Sequence, residues 1–245
     1  MKSTRLIGPL LLQLVTLCAF AQKSSDIISI KPDASFNMEV NEPSDLVWLS
    51  SSNRLLAVSD NGYLAEVNLD GTLIRRSPQL GYDLEGLTLT SGGILVVDEM
   101  TRRFTLLESD FNRIRSFTVP YSGGRNRSFE AMTTLPDGSV LAFTEKSPIW
   151  VYHFDTEFRV IDEFEFSLKL RDVSAITWHK GDLWILSDED RTVLRCTWPR
   201  LELKASYRLP IINPEGMAFD GSGNLYVCSD DREKLYFFSA SNFTP

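Results

Sequence analysis

The chain has 245 residues, 43% of them hydrophobic and 11% aromatic, which is enough to build a packed core and excludes a disordered chain. The formal net charge is −8. That balance argues against nucleic acid as a partner, because phosphate contacts need Lys and Arg, and favours cations instead.

Residues 1–21 read as a signal peptide. Lys2 and Arg5 form a basic start, Leu6 to Phe20 is largely apolar, and Ala19-Phe20-Ala21 is a small-x-small cleavage site. Pro9 and Gln13 weaken the alternative, an uncleaved membrane anchor. Leu17 before Cys18 disfavours a lipoprotein site. The protein is therefore expected to be exported, periplasmic or extracellular, and membrane-associated if the segment is retained. Residues 22–34 read as an N-terminal extension and 35–245 as the folded domain. Two mature cysteines, Cys196 and Cys228, are open to a disulfide or to two buried free thiols.

From residue 44 onward a short pattern recurs five times: Ser44-Asp45-Leu46-Val47-Trp48, Glu85-Gly86-Leu87-Thr88-Leu89, Glu130-Ala131-Met132-Thr133-Thr134, Ser174-Ala175-Ile176-Thr177-Trp178 and Glu215-Gly216-Met217-Ala218-Phe219. The steps between first residues are 41, 45, 44 and 41, the period of a four-stranded propeller blade. Each copy is followed by an apolar, β-prone run ending in a polar pair: Ser59-Asp60, Asp98-Glu99, Thr144-Glu145, Ser187-Asp188 and Ser229-Asp230. Turn residues lie between the two, as in Pro136-Asp137-Gly138 and Asp220-Gly221-Ser222-Gly223-Asn224, so strands A and B form a hairpin. Third strands follow, such as Tyr63 to Asn68 and Thr192 to Thr197, and then fourth strands, such as Leu73 to Ser77 and Lys204 to Leu209.

The fifth repeat lacks its fourth strand, and an unassigned strand, Phe36 to Val40, precedes the first. These two facts predict an all-β fold: a five-bladed β-propeller of four-stranded antiparallel blades, closed by an N-terminal strand completing the last blade. Closure removes the open edges that invite association, and a monomer is expected.

Strand A lines the channel of a propeller, and A and B are antiparallel, so the start of A and the end of B share one rim. Two columns of residues then meet there. The A column is Ser44, Glu85, Glu130, Ser174 and Glu215; the B column is Asp60, Glu99, Glu145, Asp188 and Asp230. Eight of these ten positions are carboxylates, with Asp45, Asp83, Asp98 and Asp172 beside them. Two carboxylates about 5 Å apart repel by roughly 3 kcal/mol at an effective dielectric of about 20, and a bound cation relieves this. Oxygen ligands favour Ca²⁺ over softer metals, and two histidines give little support to zinc. The B column alone is also explained as hairpin-capping turn residues. Glu is not a turn former, so the A column carries the case: a Ca²⁺ on the channel axis, held mainly by Glu85, Glu130 and Glu215.

The Glu-Gly-(Leu/Met) starts and the apolar runs ending in Ser-Asp resemble the SdiA-regulated, YjiK-like family of bacterial envelope β-propellers. Tyr82-Asp83-Leu84-Glu85-Gly86-Leu87 is the closest match. Pro214-Glu215-Gly216-Met217 with Asn224-Leu225-Tyr226-Val227 is similar to it and to NHL-type repeats. The resemblance spans about residues 35–245. It implies a five-bladed propeller with a calcium site and without an established catalytic activity. Ser44 and Ser174 depart from the Glu pattern.

Two functions follow. The first is a calcium-bound binding or scaffold module of the cell envelope, whose partner is a small molecule or an envelope protein. It rests on the acidic rim and on the absence of Gly-x-Ser-x-Gly and His-Glu-x-x-His motifs. The alternative is a metal-dependent hydrolase of phosphoesterase or lactonase type, in which the metal activates water. It would need basic residues such as Arg125, Arg127 and Arg171, which read equally as solvated loop charge. His179 reads as a surface residue and His153 as structural. Tyr121 and Phe129 are aromatics open to partner binding or to packing between blades.

Overall fold

The computed structural model describes residues 27–120 and 128–243. The predicted signal peptide lies outside the described residues. The first strands are β1 (Ile27–Ser29) and β2 (Ala34–Asn37). Blade one is β3 (Pro43–Leu49), β4 (Arg54–Ser59), β5 (Tyr63–Val67) and β6 (Leu73–Arg76). Blade two is β7 (Leu84–Thr90), β8 (Gly93–Asp98), β9 (Arg103–Leu107) and β10 (Arg113–Thr118). Blade three is β11 (Phe129–Thr134), β12 (Val140–Thr144), β13 (Trp150–Phe154) and β14 (Val160–Glu165). Blade four is β15 (Ala175–His179), β16 (Asp182–Ser187), β17 (Thr192–Cys196) and β18 (Leu203–Arg208). Blade five has β19 (Pro214–Phe219), β20 (Leu225–Ser229) and β21 (Lys234–Phe238), and a short 3₁₀ turn, Ala240–Phe243, follows.

The five sheets are the five predicted blades. The fourth strand of blade five is β2, paired antiparallel with β21 from Ala34 opposite Phe237 to Asn37 opposite Lys234. This is the expected closure, with the strand centred slightly earlier than Phe36 to Val40. One element was not expected. Within the segment read as an extension, β1 adds a fifth strand to blade four, parallel to β18. It is three residues long and exposed at every position, so it carries no hydrophobic alternation.

The middle strands are apolar throughout because both of their faces are covered; β16, β12 and β20 are buried at every position. The outer strands β6, β10 and β14 face water. The core is accordingly divided into five clusters, one at each blade interface. Blades two and three, for example, share Phe104, Phe129, Tyr152 and Phe154, and blades four and five share Trp184, Met217, Phe219 and Phe238. Phe129 is thus core rather than a docking aromatic. At the axis the inner strands approach closely. A Cβ on Gly86 would lie 2.8 Å from the Glu130 carbonyl oxygen, and one on Gly216 would lie 2.5 Å from the Asp45 Cα. The residue after each A-column position is small for this reason, Asp45 excepted.

Candidate metal site at the channel mouth

Each inner strand starts one residue earlier than predicted in blades one, two, three and five, and this placement positions the acids. The A–B pairing slips there: Leu84 pairs Asp98 and Gly86 pairs Val97, while Phe129 pairs Thr144 and Ala131 pairs Phe143. Glu85 and Glu130 are therefore the extra residues of β-bulges, and Ser44 and Glu215 lie in the same irregularity of their blades. A bulge turns a side chain out of the alternating pleat. The sequence shows the Glu column but not the bulge: Pro43, Gly86, Pro214 and Gly216 stand at three of these irregularities, but Phe129-Glu130-Ala131 has neither Gly nor Pro.

The B column lies one residue past the end of strand B, and its backbone is tied to the segment entering strand A. Asp60 N donates to Glu42 O (3.1 Å), Glu99 N to Asp83 O (2.8 Å) and Glu145 N to Ser128 O (3.0 Å). The residue just before each of these is a buried polar staple. Ser59 Oγ donates to Asn41 O (2.7 Å), Asp98 Oδ2 accepts from Tyr82 N (2.6 Å), and Ser229 Oγ donates to Ile212 O (2.6 Å). In each polar pair, then, the first residue joins neighbouring segments and the second faces the rim. The two columns share that rim, and none of the eight predicted acids is freely exposed.

The acids gather as two compact triads: Asp60, Asp83 and Glu85, and Glu99, Glu130 and Glu145. In each, one oxygen per residue lies within 4.8 Å of the others. Glu85 and Glu130 thus belong to different triads, and Glu215, Asp188 and Asp230 to neither. Glu215 nevertheless feels the negative charge of Asp188, Asp230 and Asp60, and Glu130 that of Glu85 and Glu215. Ser44 Oγ donates to Asp60 Oδ1, and Ser174 Oγ donates to Pro214 O (3.1 Å), so the two non-acidic A positions serve structure.

Burial out of bulk water, with neighbouring negative charge adding to it, pushes the carboxyls of Glu85, Glu130 and Glu215 well above the usual range. The same cause raises Asp60 to about 6, Glu99 to about 7 and Asp172 to about 8. Glu145 and Asp230 are raised too. Lys146 is a cation at this rim, paired with Glu145 and 3.8 Å from Glu189. One more oxygen stands beside the second triad. Ser128, whose N–H donates to Glu99 Oε1 (2.9 Å), is fully buried, and its Oγ has no hydrogen-bond partner among the described residues. An all-oxygen set with surplus negative charge and an unpartnered hydroxyl fits a hard divalent cation.

A family model described as SdiA-regulated matches residues 28–239. The chain belongs to the SdiA-regulated family. The structure of Myxococcus xanthus glutaminyl cyclase superposes on this SdiA-regulated propeller with a TM-score of 0.69 at 13% identity, over 86% of this chain and 97% of that one. A gluconolactonase from Xanthomonas campestris gives 0.58 at 13% identity, over 83% and 77%, and a streptogramin B lyase 0.52 at 14% identity, over 85% and 70%. At these identities the likeness is one of fold.

The other candidate residues separate clearly. Arg125, Arg127 and Tyr121 lie outside the described residues. Arg171 is bound to Asp190 (2.8 Å) and 3.6 Å from Glu189. His153 is structural, bonded to Ser139 Oγ (2.8 Å) with its ring edge-on to Trp198. His179 is not a plain surface residue: it is half-buried and stacked on Phe219, with centroids 4.1 Å apart. Cys196 and Cys228 are buried free thiols, one in strand C of blade four and the other in strand B of blade five.

Proposed function

We propose that this SdiA-regulated propeller is an exported Ca²⁺-binding protein that serves as a binding or scaffold module of the cell envelope. The observation that carries the reading is the pair of acid triads at one channel mouth. Their oxygens are crowded within 4.8 Å of one another, with Lys146 as the local counter-charge. Glu99, Glu130 and Glu145 would hold the ion in one triad, and Asp60, Asp83 and Glu85 offer the equivalent set in the other. Glu215, Asp188 and Asp230 extend the negative field on the far side. The ion would neutralise that field and lock the blades' inner ends together. Calorimetry on the metal-free protein is the test. Saturable Ca²⁺ uptake that is lost in Glu130→Gln supports the reading, and absence of uptake overturns it.

A second reading, a metal-assisted hydrolase, is favoured by one observation. Three carboxylates with oxygens within 4.8 Å of one another make a site where a bound metal would activate water. The similar folds named as a gluconolactonase and a glutaminyl cyclase make lactones and related acyl substrates the first to try. Turnover of gluconolactone or of a phosphoester by the Ca²⁺-loaded protein, abolished in Glu99→Gln, would replace the scaffold reading.

A further inference from the structure

The two acid triads differ by one residue of the repeat. In the first, Asp83 stands just before β7 and two residues before Glu85. Its carbonyl oxygen accepts from Glu99 N (2.8 Å), and its carboxylate shares the 4.8 Å cluster with Asp60 and Glu85. One blade on, Ser128 holds the same place. It stands just before β11, two residues before Glu130, and its carbonyl oxygen accepts from Glu145 N (3.0 Å). The repeat therefore aims the Ser128 side chain as it aims that of Asp83, between the B-column acid of the preceding blade and the A-column Glu of its own. Here those acids are Glu99 and Glu130. The Ser128 N–H, donating to Glu99 Oε1 (2.9 Å), holds the serine against the second triad.

Ser128 is 0% exposed, and its Oγ has no hydrogen-bond partner among the described residues. A buried hydroxyl left in that state is costly unless a ligand meets it. The first triad has no such vacancy, because Asp60 Oδ1 is already taken by Ser44 Oγ. In the second, three carboxylates and one hydroxyl offer up to seven oxygens, and Ca²⁺ takes about six to eight. Lys146 competes for Glu145 Oε1, but Glu189 at 3.8 Å gives it a second partner when a cation displaces it.

We infer that Ser128 Oγ is a fourth ligand, and that Glu99, Ser128, Glu130 and Glu145 form the tighter of the two Ca²⁺ sites at this mouth. An ion there ties blade two to blade three. The inference rests on the Ca²⁺ reading of the rim and adds which set fills first and by which atom.

The test is calorimetric titration of the full metal-stripped protein with Ca²⁺, beside scanning fluorimetry in chelator. Ser128→Ala should weaken the tightest Ca²⁺ phase about tenfold. Its metal-free melting temperature should equal or exceed that of the unmutated protein, since the hydroxyl has no partner to lose. Ser128→Asp, which copies position 83, should tighten the same phase about tenfold while lowering the metal-free melting temperature. Ca²⁺ uptake that Ser128→Ala leaves unchanged overturns the role of Ser128 and leaves the Ca²⁺ reading standing. Weaker uptake together with a lower metal-free melting temperature in Ser128→Ala also overturns it, because the serine is then structural. No uptake by the unmutated protein overturns both.

Discussion

At position 45 the repeat carries a carboxylate where the other blades carry Gly86, Ala131, Ala175 and Gly216. Asp45 is 1% exposed, yet its oxygens accept N–H groups from Leu46 (2.7 Å), Leu87 (2.9 Å) and Met217, which belong to three different inner strands. It acts as a staple across blades five, one and two, and its role is distinct from that of the rim acids. Asp45→Ala should therefore lower stability by about 3 kcal/mol or more, because it strands buried donors, and urea unfolding measures this. Gly216→Ala should also destabilise, by about 2 kcal/mol, since its Cβ would meet Asp45 Cα at 2.5 Å and Cys228 Sγ at 2.8 Å. At the rim the sign reverses. Glu130→Gln removes a charge from a crowded set, so the metal-free variant should melt above the unmutated protein. In Ca²⁺ the order should invert, as scanning fluorimetry with and without chelator will report. The sequence made the acid columns visible because the repeat aligns them, but it gave no sign of Asp45's partners Leu87 and Met217, which belong to other blades.

Among the elements, the AB hairpins were legible because their turns carry Gly, Asn and Asp at fixed offsets. Gly138, Gly181 and Gly223 do take positive φ there. The closing strand was legible from a deficit, one strand short at one end and one extra at the other. The bulges that place Glu85 and Glu130 were not, since a bulge is a slip in pairing and only one of these two has a Gly, Gly86, beside it. Nor was β1, a three-residue parallel strand exposed at every position. These two N-terminal strands differ in consequence. Removing residues through Ser29 deletes, among the described residues, exposed β1 alone and should leave a cooperative melt near that of the full chain. Removing residues through Asn37 deletes β2 and exposes the edge of β21, so that protein should aggregate or fail to melt cooperatively, as light scattering and circular dichroism will show.

For the molecule as a whole, a ring of buried acids makes stability depend on pH in a defined direction. Glu99 titrates at about 7 in the fold against 4.5 for a free glutamate, and Asp172 at about 8 against 3.8. Between those limits the folded protein holds protons that the unfolded chain has released. The stabilisation is complete below pH of about 4 and is lost as pH rises through about 7 to 8, at most about 3 kcal/mol for Glu99 alone. Metal-free protein should thus melt higher at pH 5 than at pH 8, and Ca²⁺ should flatten that slope by replacing protons as the counter-charge. The family and the ring follow from the sequence directly, whereas the division of the acids into two triads depends on side-chain packing that only coordinates reveal.

The most direct trial of the central claim is a crystal structure of the protein grown in millimolar Ca²⁺, with anomalous scattering recorded. The account predicts a peak at the channel mouth coordinated by oxygens of Glu85, Glu130 or their triad neighbours at about 2.3–2.6 Å. A well-ordered mouth with no anomalous peak and the acids turned out to solvent would contradict it.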